Sequence, residues 1–187
     1  MDQRPETGRL FIAVPLPDSL QNTIGEWTRE HLGHLQFRKW VHPADMHITL
    51  QFLGDTPLQK VPELSEALRH AVKGFGSFPL EVRGLGTFGR PAVPSILWTG
   101  IDGQVSRLTD LYKQVTAATS RLGFQLEERP YKPHITLARS YQGESSFNLK
   151  GLDSTVSFGE WSPDSVVIYR TRMGRTPMYE VTQRIML

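Results

Sequence analysis

The chain has 187 residues, of which 39% are hydrophobic and 10% aromatic, and its formal net charge is +2. These values are ordinary for a folded globular protein, and they exclude a strongly basic nucleic-acid coat. The absence of cysteine excludes disulfides, thiolate metal ligands and a cysteine nucleophile, and no apolar run reaches the roughly 20 residues of a membrane span.

The first half of the chain alternates strand and helix patterns. Short apolar runs that end at proline or glycine predict strands, and apolar residues three or four apart predict helices. The predicted elements are a strand over 9–16, a helix over 17–32, a strand over 46–54 and a helix over 57–72. Residues 1–14 lack the basic and apolar segments of a secretory signal, so we expect a cytoplasmic protein without a membrane partner.

The second half repeats this order and adds strands at its end. The predicted elements are strands over 78–89 and 95–101, a helix over 104–122, and strands over 133–139, 154–161, 165–173 and 178–187. No linker or low-complexity segment separates the halves. The spacing is not that of regular βαβ units, which argues against a doubly wound sheet. We therefore predict a single α+β domain over 1–187 with two pseudo-symmetric lobes.

The sequence His-Ile-Thr-Leu occurs once in each half, at 47–50 and at 134–137. On a strand, residues i and i+2 point to the same face. His47 and Thr49 therefore project together, as do His134 and Thr136. If the two strands face one another, two imidazoles and two hydroxyls share a cleft.

Such a group of side chains is suited to phosphoryl chemistry without a metal or a cofactor. Histidine titrates near 6.5, so one neutral imidazole can take a proton from an attacking water while a protonated one gives a proton to the leaving oxygen. The threonine hydroxyls can stabilise charge on the non-bridging phosphate oxygens. This chemistry needs one acid–base group from each half, which explains why the motif occurs twice.

Other catalytic motifs are absent from the sequence. His31 and His34 are three residues apart, but no cysteine or third histidine nearby completes a metal site, so we expect a solvent-facing pair. The chain contains neither the Gly-x-Ser-x-Gly motif of serine hydrolases nor a Walker-type phosphate loop.

Five stretches carry a resemblance to a known family: RLFIAVPLP, DMHITLQFLG, SILWTGI, RPYKPHITLAR and VVIYRTRMGRTPMYEV. Together they resemble the two-histidine (2H) phosphoesterase superfamily. Within it, the first and fourth stretches are similar to the RNA 2′,3′-cyclic phosphodiesterases, also called 2′-5′ RNA ligases. The resemblance extends over nearly the whole chain.

The resemblance implies a bilobal α+β fold in which two antiparallel sheets line a central cleft and the helices lie outside. It also implies hydrolysis of the terminal 2′,3′-cyclic phosphate of RNA to a 2′-phosphate. His47 is then the general acid that protonates the 3′ oxygen, and His134 is the base that activates water. Thr49 and Thr136 hold the phosphate oxygens, and Arg139 adds positive charge.

Three positions fit this picture less simply. Arg139 has the wrong strand parity to share a face with His134 and reaches the cleft only if the strand ends or bends there. Gln51, expected on the face of His47, stands where many relatives carry a basic residue, which removes one contact with the RNA backbone. Phe11 either stacks on a base or packs in the core.

Several functions remain open at this stage. The expected partners are RNA ends with a 2′,3′-cyclic phosphate, tRNA fragments among them, and the expected state is a monomer. The alternatives are 2′-5′ RNA ligation, hydrolysis of a 2′-5′ oligonucleotide or of an ADP-ribose cyclic phosphate, and a non-catalytic module that binds RNA ends.

Overall fold

The computed structural model describes residues 4–187. Within this range the chain forms nine strands and three α-helices. The strands are β1 (Thr7–Pro15), β2 (Phe37–Trp40), β3 (His47–Pro57), β4 (Leu80–Arg90), β5 (Val93–Gly103), β6 (His134–Tyr141), β7 (Ser157–Trp161), β8 (Ser165–Thr171) and β9 (Tyr179–Met186). The helices are α1 (Asp18–Leu32), α2 (Val61–Val72) and α3 (Val105–Arg121).

The first sheet has the strand order β3-β1-β8-β9, and all its pairings are antiparallel. In β1, Leu10, Ile12 and Val14 are fully buried in the main core. Phe11 and Ala13 alternate with them and form a smaller buried cluster with residues of β8. Both faces of this sheet are therefore covered, which explains why β1 is a nearly continuous apolar run.

The second sheet has the order β2-β6-β5-β4-β7 and is also antiparallel throughout. Its edge strand β2 was not predicted. The strand is only four residues long, and Arg38 and Lys39 at its centre are exposed, so it carries no alternating pattern. Its register against β6, with Lys39 opposite Arg139, is what makes it a strand.

The helices bury the faces that their periodicity predicts. Leu108, Leu111 and Val115 of α3 are completely buried, as are Leu64 and Leu68 of α2. At roughly 1.5–3 kcal/mol for each fully buried aliphatic side chain, this packing is a main stabilising contribution of the helices. None of the helices in residues 4–187 is long and apolar enough to cross a membrane.

The prediction of an α+β fold with two antiparallel sheets is confirmed, but several element boundaries differ from the predicted ones, most clearly around Gly54. β3 continues past Gly54 to Pro57, because Gly8 and Thr7 of β1 pair with Thr56 and Pro57. The second helix consequently begins at Val61 rather than Pro57, after a 3-10 turn over Leu58–Lys60. The predicted terminal hairpin is formed by β8 and β9.

Candidate active site

Each of the two predicted histidines is the first residue of its strand, His47 of β3 and His134 of β6. Nδ1 of His47 lies 2.7 Å from the carbonyl oxygen of Asp45, and Nδ1 of His134 lies 2.7 Å from that of Lys132. In each case the acceptor belongs to the residue two positions earlier. A hydrogen on Nδ1 that donates to a carbonyl fixes the tautomer and leaves Nε2 as the nitrogen available for proton transfer.

Each histidine has its threonine beside it, as the strand period predicts. Thr49 Oγ1 is 3.0 Å from His47 Nε2, so in the neutral tautomer the hydroxyl donates to the imidazole. Thr136 is half-buried like His134 and lies opposite Trp98 of β5. Each strand therefore presents one imidazole and one hydroxyl together.

A β-bulge follows each His-x-Thr pair. Thr49 lies opposite Ala13 and Gln51 opposite Ile12, so Leu50 is the extra residue of β3. A bulge reverses the alternation of side chains beyond it. Gln51 is accordingly buried, with 4% of its surface exposed, and Phe52 is 56% exposed.

The bulge corrects the prediction for Gln51. This residue does not share a face with His47, because its side chain turns into the interior. There Thr119 Oγ1 donates to Gln51 Oε1 at 2.6 Å, and Gln51 Nε2 donates to the carbonyl of Gln125 at 3.3 Å. The residue that follows His47 and Thr49 on their face is Phe52.

The second bulge brings Arg139 to the predicted site. Thr136 lies opposite Trp98 and Ala138 opposite Leu97, so Leu137 is the extra residue of β6. Leu137 and Ala138 are both completely buried, and the half-buried Arg139 returns to the face of His134. Strand alternation therefore does not exclude Arg139 from the site, because the bulge at Leu137 reverses the alternation before Arg139.

The charge of Arg139 reaches both imidazoles. Burial is the largest cause that lowers the pKa of each histidine, and the positive charge of Arg139 lowers both further. The charge of His134 also lowers the pKa of His47. β3 and β6 are in contact, and Tyr131, three residues before His134, donates a hydrogen bond to the carbonyl of Thr49, so the two His-x-Thr strands are neighbours.

His47 is the more strongly perturbed of the two histidines. Burial lowers its pKa from the ordinary 6.5 to about 4, against the opposing effects of its hydrogen bond to Asp45 and the Asp45 charge. Three aromatic rings surround it, with centroids 4.9 Å away for Phe11, 5.7 Å for Tyr169 and 5.4 Å for Tyr179. Both imidazoles are therefore largely neutral at pH 7.

Phe11 belongs to this aromatic wall. Only 2% of its surface is exposed, and its ring packs on His47 and Tyr179. Of the two roles that the sequence left open, packing is therefore the one that the structure supports. Around His134 the corresponding rings are Phe88, with its centroid 4.9 Å away, and Trp98, at 6.4 Å.

Asp45 was not among the predicted site residues. Its buried carboxylate accepts hydrogen bonds from the backbone N–H groups of Met178 at 2.9 Å and Tyr179 at 3.1 Å. Because the Asp45 carbonyl also accepts from His47, this one residue connects the start of β3 to the start of β9. No sequence pattern identifies it, since its partners lie more than a hundred residues away.

Tyr131 links the two sheets at the first bulge. Its hydroxyl donates to the carbonyl of Thr49 at 3.1 Å, and its ring stacks on Tyr112 with 4.1 Å between centroids. Burial raises the pKa of Tyr131, which keeps the hydroxyl protonated and able to donate. Tyr131, Thr119 and Gln125 thus hold the bulge of β3 from the second half of the chain.

Two arginines near the C-terminus, at the end of β8 and just after it, form ion pairs that partly neutralise their charge. Arg170 forms an ion pair with Glu6 at 2.9 Å, and Arg172 with Glu180 at 3.1 Å. By contrast, Lys39 lies opposite Arg139 across the β2–β6 pair, and its Nζ is 3.1 Å from Met178 Sδ. Lys39 is the basic neighbour of Arg139 that the sequence analysis missed.

Comparison with known proteins agrees with this architecture. The chain is 42% identical over 171 residues to an RNA 2′,3′-cyclic phosphodiesterase of Geobacillus stearothermophilus. The alignment covers 91% of this chain and 54% of that protein. It is 32% identical over 175 residues to a protein of the same name from Bacillus subtilis, with 91% of each covered. The chain thus spans about half the length of the first relative and nearly all of the second.

The fold is also shared with solved structures. The crystal structure of E. coli LigT complexed with 3′-AMP superposes with a TM-score of 0.80 at 24% identity, covering 97% of this chain and 99% of that one. The family model described as LigT like phosphoesterase matches residues 14–98 and 100–179, which include both His-x-Thr motifs. The chain therefore belongs to the LigT-like phosphoesterase family.

Proposed function

We propose that this protein hydrolyses the 2′,3′-cyclic phosphate at the end of an RNA to a 2′-phosphomonoester, without a metal ion or cofactor. The observation that carries the proposal is the pair of contacting strands β3 and β6, each of which begins with a His-x-Thr sequence. The relatives from Geobacillus stearothermophilus and Bacillus subtilis, both named RNA 2′,3′-cyclic phosphodiesterase, support the choice of substrate.

His134 acts as the general base in this mechanism. Its Nδ1 hydrogen donates to the Lys132 carbonyl, which leaves the Nε2 lone pair to take a proton from water. The water oxygen forms a bond to phosphorus as the bond between phosphorus and the 3′ oxygen breaks. Thr136 and Arg139 stabilise the negative charge on the non-bridging oxygens.

His47 acts as the general acid that protonates the departing 3′ oxygen. Its pKa, which burial lowers to about 4, makes the imidazolium scarce at pH 7. A bound phosphodiester brings a negative charge next to the ring, which raises that pKa and favours the protonated form. When Nε2 carries a hydrogen, the Thr49 hydroxyl no longer donates to it and can turn to a phosphate oxygen.

We further propose that residues 1–187 act as a single domain of two pseudo-symmetric lobes, as a monomer in the cytoplasm. The RNA ends that it opens include those of tRNA fragments. The hydrogen bonds from Tyr131 and Thr119 to β3 support a single cooperative unit. Light scattering after size exclusion tests the monomer, and a single unfolding transition seen by two probes tests the single domain.

The test of the function is product analysis on a panel of substrates. The panel contains an oligonucleotide with a 2′,3′-cyclic phosphate end, a mononucleoside 2′,3′-cyclic phosphate, a 2′-5′ linked dinucleotide and an ADP-ribose cyclic phosphate. We expect a 2′-phosphate product from the first two, and activity that persists in EDTA. Preferential cleavage of either other compound, or loss of activity in EDTA that one divalent ion restores, would contradict the proposal.

His47→Ala and His134→Ala test the catalytic residues. Each should lower the chemical step by roughly two to four orders of magnitude. His70→Ala is the matched control, because His70 is exposed on α2, where its Nε2 lies 3.4 Å from Oε1 of Glu66. A His134→Ala protein with normal turnover would remove the assigned base.

A further inference from the structure

A cavity of about 440 Å³ lies at the end of β3, beyond the proposed catalytic groups. The second half of β3 forms one wall, and the turn that follows α3 forms the other. Phe52, Lys60 and Phe124 are among the residues that line it. The catalytic histidines and threonines do not line it, so the cavity is additional to the cleft described above.

Phe52 lies between the cavity and the cleft and lines the cavity. The bulge at Leu50 returns Phe52 to the face of His47 and Thr49, where 56% of its surface is exposed. Its ring centroid is 5.9 Å from that of Phe11, which is 4.9 Å from that of His47. A chain that leaves the catalytic cleft along this strand therefore passes over Phe52 and enters the cavity.

The lining has the groups that bind a nucleotide of single-stranded RNA. Phe52 and Phe124 offer aromatic surfaces, and bases stack on such rings with little regard to sequence. The ammonium of Lys60 lies 5.8 Å from the centre of the Phe124 ring, where it places positive charge for a phosphate. Asp55 also lines the cavity, and Arg9 partly compensates its charge at 3.8 Å.

We propose that this cavity binds the nucleotide that precedes the terminal one, an inference that rests on the proposed function. A 2′,3′-cyclic phosphate closes the 3′ end of an RNA, so the rest of the chain leaves the catalytic site only in the 5′ direction. The base of the preceding nucleotide stacks on Phe124, and the phosphate that joins it to the terminal nucleotide lies near Lys60. The enzyme is thereby selective for an RNA end over a single cyclic nucleotide.

The experiment compares kcat/KM for two substrates, a dinucleotide ending in 2′,3′-cyclic phosphate and the mononucleoside 2′,3′-cyclic phosphate of the same base. The variants are Phe124→Leu, which keeps apolar volume without a ring, and Lys60→Met, which keeps the side-chain stem. Lys73→Met, at the exposed end of α2, is the control. The mononucleotide rate also reports whether each variant is folded.

We expect Phe124→Leu to lower kcat/KM for the dinucleotide about five- to tenfold through KM, in line with the loss of one stacked base. The mononucleotide should be affected less than twofold. Lys60→Met should weaken the salt dependence of the dinucleotide reaction only. Equal effects on both substrates, or none on the dinucleotide, would overturn the subsite. A parent that opened neither substrate would instead overturn the proposed function.

Discussion

Replacing Thr119 by valine removes the donor that holds the buried Gln51 side chain. Thr119 is completely buried, and its hydroxyl is 2.6 Å from Gln51 Oε1. Valine fills nearly the same volume but leaves the amide oxygen of Gln51 without this donor. A buried acceptor that loses its partner costs about 1–3 kcal/mol, so the free energy of unfolding should fall by that amount.

Activity should fall as well, because Gln51 is the residue next to the bulge. Without its donor, the unbulged register becomes more favourable, and that register turns Gln51 towards the cleft and Phe52 away from it. A displacement of about 1 Å at reacting groups can cost about a hundredfold in rate, so we expect kcat to fall at least tenfold. Urea unfolding and kcat on a cyclic-phosphate oligonucleotide measure the two effects.

Thr116→Val is the matched control. Thr116 is also a buried threonine on α3, but its hydroxyl donates to the carbonyl of Tyr112 at 2.8 Å within the same helix. Such a bond contributes little to helix stability, so this variant should change unfolding by less than about 1 kcal/mol and leave kcat unchanged. If Thr116→Val and Thr119→Val behaved alike, the reasoning about the bulge would be refuted.

Three further predictions follow from the site. The pH profile of kcat/KM reports the free enzyme, so it should be bell-shaped and lie on the acid side of 6.5. The kcat profile should lie at higher pH, because the bound phosphate raises the pKa values of the histidines. Identical profiles would contradict this prediction. Because burial lowers the pKa of His47, the unfolded state takes up a proton between pH 6.5 and about 4 that the folded state does not, and the free energy of unfolding falls by about 3 kcal/mol over that range. His47→Gln should therefore make the free energy of unfolding less sensitive to acid, and an unchanged slope would contradict this. Asp45→Asn removes a charge that raises the pKa of His47, so the kcat/KM profile should move to lower pH. The change also weakens one of the two backbone hydrogen bonds that Asp45 accepts, so urea unfolding should show a loss of about 1–2 kcal/mol in stability.

Strand periodicity was sufficient to predict the first three residues of each motif. His47 and Thr49 share a face because only one residue separates them, and the same holds for His134 and Thr136. Hydrophobic periodicity also identified the three helices. These features depend on local sequence, and a local pattern is enough to predict them.

The residues beyond each threonine could not be predicted in this way. A bulge is decided by what the neighbouring segments offer, and for β3 these are Thr119, Gln125 and Tyr131, all distant in sequence. Simple alternation therefore assigned Gln51 to the cleft, which was wrong, and it made the position of Arg139 depend on a bend that only the structure shows. The short strand β2 was missed for a related reason, since its identity depends on pairing with β6.

The matching bulges also give the cleft a direction. Phe52 and Arg139 occupy the same position of the two repeats, one residue past the buried neighbour of the bulged leucine. Two imidazoles on equivalent strands would, by themselves, accept a ligand equally well in either of two opposite orientations. The aromatic ring on one strand and the guanidinium on the other remove that ambiguity. A duplicated motif can in this way keep its chemistry identical while a single divergent position in each copy dictates which end of a ligand meets which half.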